Sequence, residues 1–119
     1  INVLSNNEIF LANVMKIIEK NMSNEGFTVD ALAAELNVSH SALYRKLTQL
    51  TQQSPVDFIR SIRLKRAAQL LRTHNYLVLE ICSMVGFSDQ RYFSTCFKRQ
   101  YGISPKAYSM KDFDNTEEE

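Results

Sequence analysis

The sequence predicts an all-α fold of about seven helices. Three observations support this prediction. Apolar residues recur at helical spacing along most of the chain, no segment alternates as a strand would, and only three Gly and two Pro interrupt the 119 residues. With 45% hydrophobic and 23% charged residues, the composition is that of one ordinary globular domain, or of two very small ones that share a core.

The first helix is predicted over residues 7–22, with Gly26 as the residue that stops it. Thr28 is a typical N-cap for a short helix, "VDALAAEL". The longest helix follows Ser54 and Pro55, which suit its cap and its first position, and a further short helix is "VLEICSMV". The exposed side of the longest helix is expected to carry Arg60, Arg63, Lys65, Arg66 and Arg72.

Residues 36–58 and residues 85–108 carry the same pattern twice. An offset of 49 relates the copies as far as Ser39, and an offset of 50 relates them from Leu43 onward. One residue is therefore inserted in the second copy near Asp89, at the predicted start of a helix. Matching apolar positions and matching turn residues favour a true repeat.

Each copy has the composition of a helix-turn-helix. A small residue, Ala33 or Cys82, suits a close crossing of two helices. Four positions later, Asn37 or Gly86 suits the left-handed backbone of a tight turn. An ordinary helical hairpin would explain one copy, but two basic copies favour nucleic-acid binding.

Charge is distributed unevenly, although the formal net charge is only +1. Residues 39–111 contain twelve Lys or Arg and three acids, whereas the final stretch, "DFDNTEEE", contains five acids. A local basic excess is typical of a phosphate-binding surface, although a solvated face would give the same pattern. Residues 112–119 are predicted to be a disordered acidic tail.

Several classes of function have no support in the sequence. No apolar run is long enough for a membrane span, and no signal peptide pattern is found, so we expect a cytoplasmic domain without membrane contact. Cys82 and Cys96 lie apart from His40 and His74, which favours reduced thiols and predicts no metal. No nucleophile and base pair, glycine-rich phosphate loop or carboxylate pair is found. We therefore expect neither catalysis nor a cofactor.

Helical spacing divides the second helix of each copy into an inner and an outer face. The aromatic residues of the second copy, Tyr92 among them, are assigned to packing. Because Arg can pair with guanine and Gln with adenine, Arg45, Gln90 and Arg91 are the main candidates for reading bases. Tyr44 is as compatible with covering the neighbouring turn as with contacting DNA.

Three stretches carry a family resemblance: "LAAELNVSHSALYRKL", "SPVDFIRSIRLKRAAQLL" and "EICSMVGFSDQRYFSTCFKRQYGISPKAY". They resemble the DNA-binding domain of AraC/XylS transcription regulators, in which a long linker helix joins two helix-turn-helix units. The resemblance covers residues 7–110. It departs from the pattern at Gln52, where the family often has Gly and where a weaker helix cap is expected, and at Cys82, where the family often has Ala.

The resemblance implies a bacterial regulator that binds double-stranded promoter DNA, with its two recognition helices in successive major-groove segments, roughly 10 base pairs apart. Within this family, the sequence is most similar to output domains of Bacteroidetes hybrid two-component regulators. That similarity implies a larger response regulator with receiver and sensor domains, and RNA polymerase as a further partner. A helical protein-interaction module that docks an acidic partner is the alternative.

The predicted domain covers residues 1–111, with one unit over 7–53, the linker helix over 54–73 and the other unit over 76–111. Residues expected to read bases are Ser41, Tyr44, Arg45, Gln90, Arg91 and Thr95. Residues expected to contact the DNA backbone or groove are Ser39, His40, Lys46, Gln49, Ser94, Lys98 and Arg99.

Overall fold

The computed structural model describes residues 4–111, so the predicted acidic tail lies outside the described residues. Within that range the chain forms seven α-helices and no strand, which confirms the all-α prediction. The helices are α1 (Asn6–Lys20), α2 (Val29–Leu36), α3 (His40–Thr51), α4 (Pro55–Thr73), α5 (Val78–Met84), α6 (Gln90–Tyr101) and α7 (Pro105–Ser109).

The chain divides into two compact bodies, and the division falls inside α4. We call the part up to Ile62 the N-terminal body and the part from Arg63 the C-terminal body. The predicted boundaries at 53/54 and 73/76 stay a prediction.

In the N-terminal body, α1 lies on α2 through one apolar stripe that includes the buried Val14 and Ile18. The helix begins with a capping box, in which Ser5 and Glu8 satisfy each other's backbone amides. These hydrogen bonds lower the pKa of the Glu8 carboxyl. The helix ends at Lys20. The prediction that it extends to residue 22 and is stopped by Gly26 is wrong, because Asn21 already closes its last turn.

The second helix of each repeat has the same length and the same kind of boundary. Both α3 and α6 contain 12 residues. Ser39 and Asp89 are their N-caps. The Ser39 side chain accepts a hydrogen bond from the Ala42 amide, and the Asp89 side chain accepts from the amides of Arg91 and Tyr92. Gln52 and Gly102 are their C-caps, both in the left-handed region with φ of 60° and 85°. The repeat is thus a repeat of structure.

Matching backbone hydrogen bonds close the turn before each of these helices. The Val38 amide donates to the Ala33 carbonyl at 3.1 Å, and the Phe87 amide donates to the Cys82 carbonyl at 3.0 Å. The donor and the acceptor of the second bond each lie 49 positions after their counterparts in the first. The N-caps Ser39 and Asp89 lie 50 positions apart, so Ser39 corresponds to Asp89 and not, as predicted, to Ser88. The inserted residue is therefore Ser88, which lies in the turn and not at the start of α6, and the length of α6 is unchanged.

Asn37 and Gly86 provide the left-handed backbone between the two helices of each unit, with φ of 57° and 83°. This confirms the role predicted for them. Asn is among the few residues with a side chain that tolerate this region, and Gly has no Cβ to clash there.

The core of the C-terminal body is rich in aromatic rings. Phe93 lies 5.2 Å from Phe87 and 6.0 Å from Phe97 between ring centroids, and Phe97 in turn contacts Tyr101 and Tyr108. Contacts of this kind add stability beyond the burial of apolar area. They fix α6 against the turn before it and against α7.

The prediction that Arg63 lies on the exposed side of α4 is wrong. Its side chain is buried, and Nη1 donates a hydrogen bond of 2.8 Å to the Gly86 carbonyl. Burial lowers the pKa of the guanidinium. By contrast Lys65 and Arg72 are exposed, as predicted, and Arg60 forms an ion pair with Asp57 three residues earlier.

Candidate nucleic-acid interface

Helix α3 presents a polar face opposite the apolar side that fixes it. Leu43 and Leu47 are fully buried in the N-terminal body, and Tyr44 and Arg45 between them point outward. The Ser39 hydroxyl accepts a hydrogen bond from the Ala42 amide at 3.1 Å and so fixes the first turn. The exposed predicted site residues of this helix and its cap are Ser39, His40, Ser41, Tyr44, Arg45 and Gln49.

Tyr44 and Arg45 are neighbours near the middle of that face. The Tyr44 side chain is 50% exposed, which leaves part of a large ring open to contact. Arg45 is exposed and forms no ion pair within residues 4–111. A guanidinium that no carboxylate holds can donate two of its N–H groups to guanine, one to O6 and one to N7.

His40 is paired with an acid on the preceding helix. Its Nδ1 lies 2.8 Å from Asp30 Oδ1, and both side chains are mostly exposed. A carboxylate only accepts, so Nδ1 donates and Nε2 is the ring nitrogen left to contact another molecule. Such a surface pair contributes little stability, but it orients the imidazole.

Lys46 lies off the polar face. Its side chain is half-buried, and its ammonium lies 4.6 Å above the centre of the Phe10 ring on α1. Helical spacing could not indicate this contact, because Phe10 is 36 residues away along the chain. Lys46 would have to leave the ring to reach a phosphate.

Helix α6 shows the same division into two faces. Phe93, Cys96 and Phe97 are buried. Asp89 accepts from the amide of Arg91 at 2.9 Å, which fixes the first turn. The exposed predicted site residues are Gln90, Arg91, Thr95, Lys98 and Arg99, while Ser94 is half-buried.

The chemistry of this face is mostly that of hydrogen-bond donors. Arg91 and Lys98 are exposed and form no ion pair within the described residues. The Thr95 hydroxyl already donates to the Arg91 carbonyl at 3.0 Å, so it can only accept from a base. One face therefore combines a guanidinium, an amide and an acceptor hydroxyl.

Tyr92 departs from the role predicted for it. Packing is the role predicted for it, yet it is 49% exposed, although its ring centroid lies 5.9 Å from that of Phe87. Its position directly after Arg91 and before the buried Phe93 is the sequence signal that could have indicated a residue at the edge of the outer face. Tyr92 joins the candidates for contact.

Two further features bear on the class of site. Among residues 4–111, His, Cys, Asp and Glu side chains form no group of three or more that could hold a metal ion. None of the helices described is both long enough and apolar enough to cross a membrane.

The exposed polar faces of α3 and α6, each on the second helix of a helix-turn-helix unit, are those of a domain with two helix-turn-helix units. Residues 32–111 match the family described as "Helix-turn-helix domain". The chain belongs to this family, in the AraC-type form that has two such units.

Curated relatives are much longer than this chain. A histidine kinase, P4, from Formosa agariphila is 43% identical over 111 residues, which is 93% of this chain and 8% of the kinase. The transcriptional regulator MtrA from Neisseria gonorrhoeae is 35% identical over 95 residues, which is 80% of this chain and 31% of the regulator. The chain thus spans less than two thirds of each.

Solved structures share the fold. The C-terminal domain of AraT, a response regulator from Geobacillus stearothermophilus, is similar with a TM-score of 0.79 and 33% identity, over 88% of this chain and 87% of that one. The DNA-binding domain of AdpA, solved in complex with a target DNA, is similar with a TM-score of 0.76 and 31% identity, over 83% of this chain and 88% of that one.

Proposed function

We propose that this chain is a sequence-specific binder of double-stranded DNA and the DNA-binding part of a transcription regulator. One observation carries the proposal. Two helices of equal length, capped alike, each present exposed Arg beside neutral hydrogen-bonding side chains, over a buried apolar face. A helix of this kind fits the major groove, where its exposed side chains meet the edges of bases. The similar AdpA domain binds a target DNA.

The reading of bases is assigned to the exposed middle and N-terminal parts of the two helices. Arg45 and Arg91 have the geometry for paired contacts to guanine, and Gln90 for paired contacts to adenine. Thr95 accepts from an amino group, because its proton is already used. Ser41 and Tyr44 complete the α3 set.

Contacts with the phosphates and groove walls are assigned to residues at the margins of the same faces. Lys98 and Arg99 are exposed in the last turns of α6 and are the strongest candidates. His40 presents its Nε2 from the start of α3. Lys46 contributes less, because Phe10 competes for its ammonium. The remaining members of this set are Ser39, Gln49 and Ser94.

The wider role follows from the relatives. Since the similar AraT domain is the C-terminal part of a response regulator and the similar kinase is far longer, we infer that this chain serves as the output part of a signalling protein. A receiver and a sensor would control it, RNA polymerase would be its second partner, and it would act in the cytoplasm, where bacterial DNA lies. The chain itself would carry no catalytic activity.

A titration of fluorescent random-sequence duplex with the chain, at two salt concentrations, tests the proposal. We expect binding at low salt that weakens steeply as salt rises, because displaced counterions drive association. Absence of any binding at low salt would favour a protein-interaction module instead.

A further inference from the structure

The buried guanidinium of Arg63 touches the turn that directs α6. Arg63 lies in α4 with 8% of its surface exposed, and its Nη1 donates to the Gly86 carbonyl at 2.8 Å. Gly86 is the left-handed residue between α5 and α6. The bond therefore joins two segments that lie 23 residues apart in the chain, both within the C-terminal body.

The N-terminal body has an apolar residue at the matching place. An offset of 49 relates Arg63 to Val14, just as it relates the two turns. Val14 is fully buried, and the next buried pair, Ile18 and Ala67, keeps the same offset. A valine suffices to pack this position in one copy, whereas the other copy has a cation.

A buried guanidinium is costly to the fold, since desolvation opposes it and an apolar side chain would pack without that cost. Packing alone therefore does not explain why Arg63 is buried at this position in α4. The turn that it holds is the longer of the two, because Ser88 is added between Phe87 and the N-cap Asp89. An added residue gives a turn more conformations, and a charge-assisted bond to Gly86 removes them.

We propose that Arg63 is the positioning residue that sets the direction in which α6 enters the major groove. This inference rests on the proposed function. Arg63 touches no base. It acts through the Gly86 carbonyl on the first turn of α6, where Gln90 and Arg91 stand. The shorter turn before α3 has no added residue to restrain.

Selection of duplexes from a random pool by purified variants tests the inference. Arg91→Ala first identifies which positions α6 reads. At those positions we expect Arg63→Met to reduce the preference for the best base about 10-fold. Arg63→Lys, which keeps the positive charge and N–H donors, should reduce it less. Positions read by α3 should keep their preferences.

Leu71→Val is the matched control. Leu71 is also buried in α4 within the C-terminal body, but it lies eight residues beyond Arg63, about 12 Å along the helix axis. Its truncation weakens the same core without touching the turn, so the base preferences should remain. Equal loss of preference in Leu71→Val and Arg63→Met, or no loss in Arg63→Met, would overturn the inference.

Amide hydrogen exchange without DNA separates this inference from the proposed function. Arg63→Met should speed exchange of the amides from Phe87 to Arg91 more than Leu71→Val does, at matched global stability. Equal exchange in the two variants would overturn the positioning role even if the wild-type chain binds DNA. Failure of the wild-type chain to bind any duplex would instead overturn the proposed function.

Discussion

Single residues with a left-handed backbone end one helix and allow the next to begin in a new direction. Asn37 and Gly86 do this at the turns, and Gln52 and Gly102 do it at the ends of α3 and α6. Each position is filled by Gly in the second copy and by a residue with a side chain in the first. The first copy is the more strained of the two.

The C-caps provide a matched pair of substitutions. Gln52→Gly should raise the free energy of unfolding by up to about 1 kcal/mol, since it relieves the left-handed strain and loses only an exposed bond from Nε2 to the Gln49 carbonyl. Gly102→Ala should lower it by about 1 kcal/mol, although open space surrounds the new Cβ. Urea denaturation measures both changes. A change of the same sign in the free energy of unfolding of the two variants would contradict this explanation.

Two cations on α6 should have different effects on binding. Arg91→Ala is expected to relax base preference at one position, at a cost of about 1 to 3 kcal/mol in binding, because a paired contact to guanine is lost. Lys98→Ala should weaken all sequences alike and reduce the salt dependence by about one unit of slope. Site selection and a salt titration would distinguish them. Unchanged preference in Arg91→Ala would remove it from the reading set.

At the scale of the helices, local chemistry decides most boundaries. The limits of α2 and the capped start of α4 at Ser54 and Pro55 agree with the sequence prediction, because caps and proline act on their immediate neighbours. The end of α1 differs because Asn21 closes the helix before the predicted glycine is reached.

Contacts between side chains and distant partners could not be predicted from the sequence. Arg63 is buried and donates to the Gly86 carbonyl, and the Lys46 ammonium lies over the Phe10 ring of α1. Helical periodicity describes one helix at a time, so it cannot indicate such contacts. It did place Leu43 and Phe93 inside and Arg45 and Arg91 outside, because these helices pack with one face only.

The N-cap of α6 should matter to stability, whereas the residue added before it should not. Asp89→Ala is expected to cost about 1 kcal/mol of folding free energy, because its carboxylate accepts from the first-turn amides. Ser88→Ala, its exposed neighbour, should be close to neutral. Thermal unfolding of the two variants tests this. A loss in Ser88→Ala as large as in Asp89→Ala would argue against the cap.

At the scale of the whole molecule, two bodies each carry one candidate recognition helix on a core of their own. The two helices expose different residues, Tyr44 and Arg45 in one and Gln90 and Arg91 in the other. One chain is therefore expected to recognise a bipartite site without two-fold symmetry. A symmetric site would need two chains.

Recognition of a bipartite DNA site by one chain is tested by selecting duplexes from a random pool with the wild-type chain at low concentration. We expect an asymmetric site with two preferred segments whose centres are roughly 10 base pairs apart, and with guanine in both segments. Recovery of a random pool, or of a palindrome bound only by a dimer, would contradict recognition of a bipartite site by a single chain.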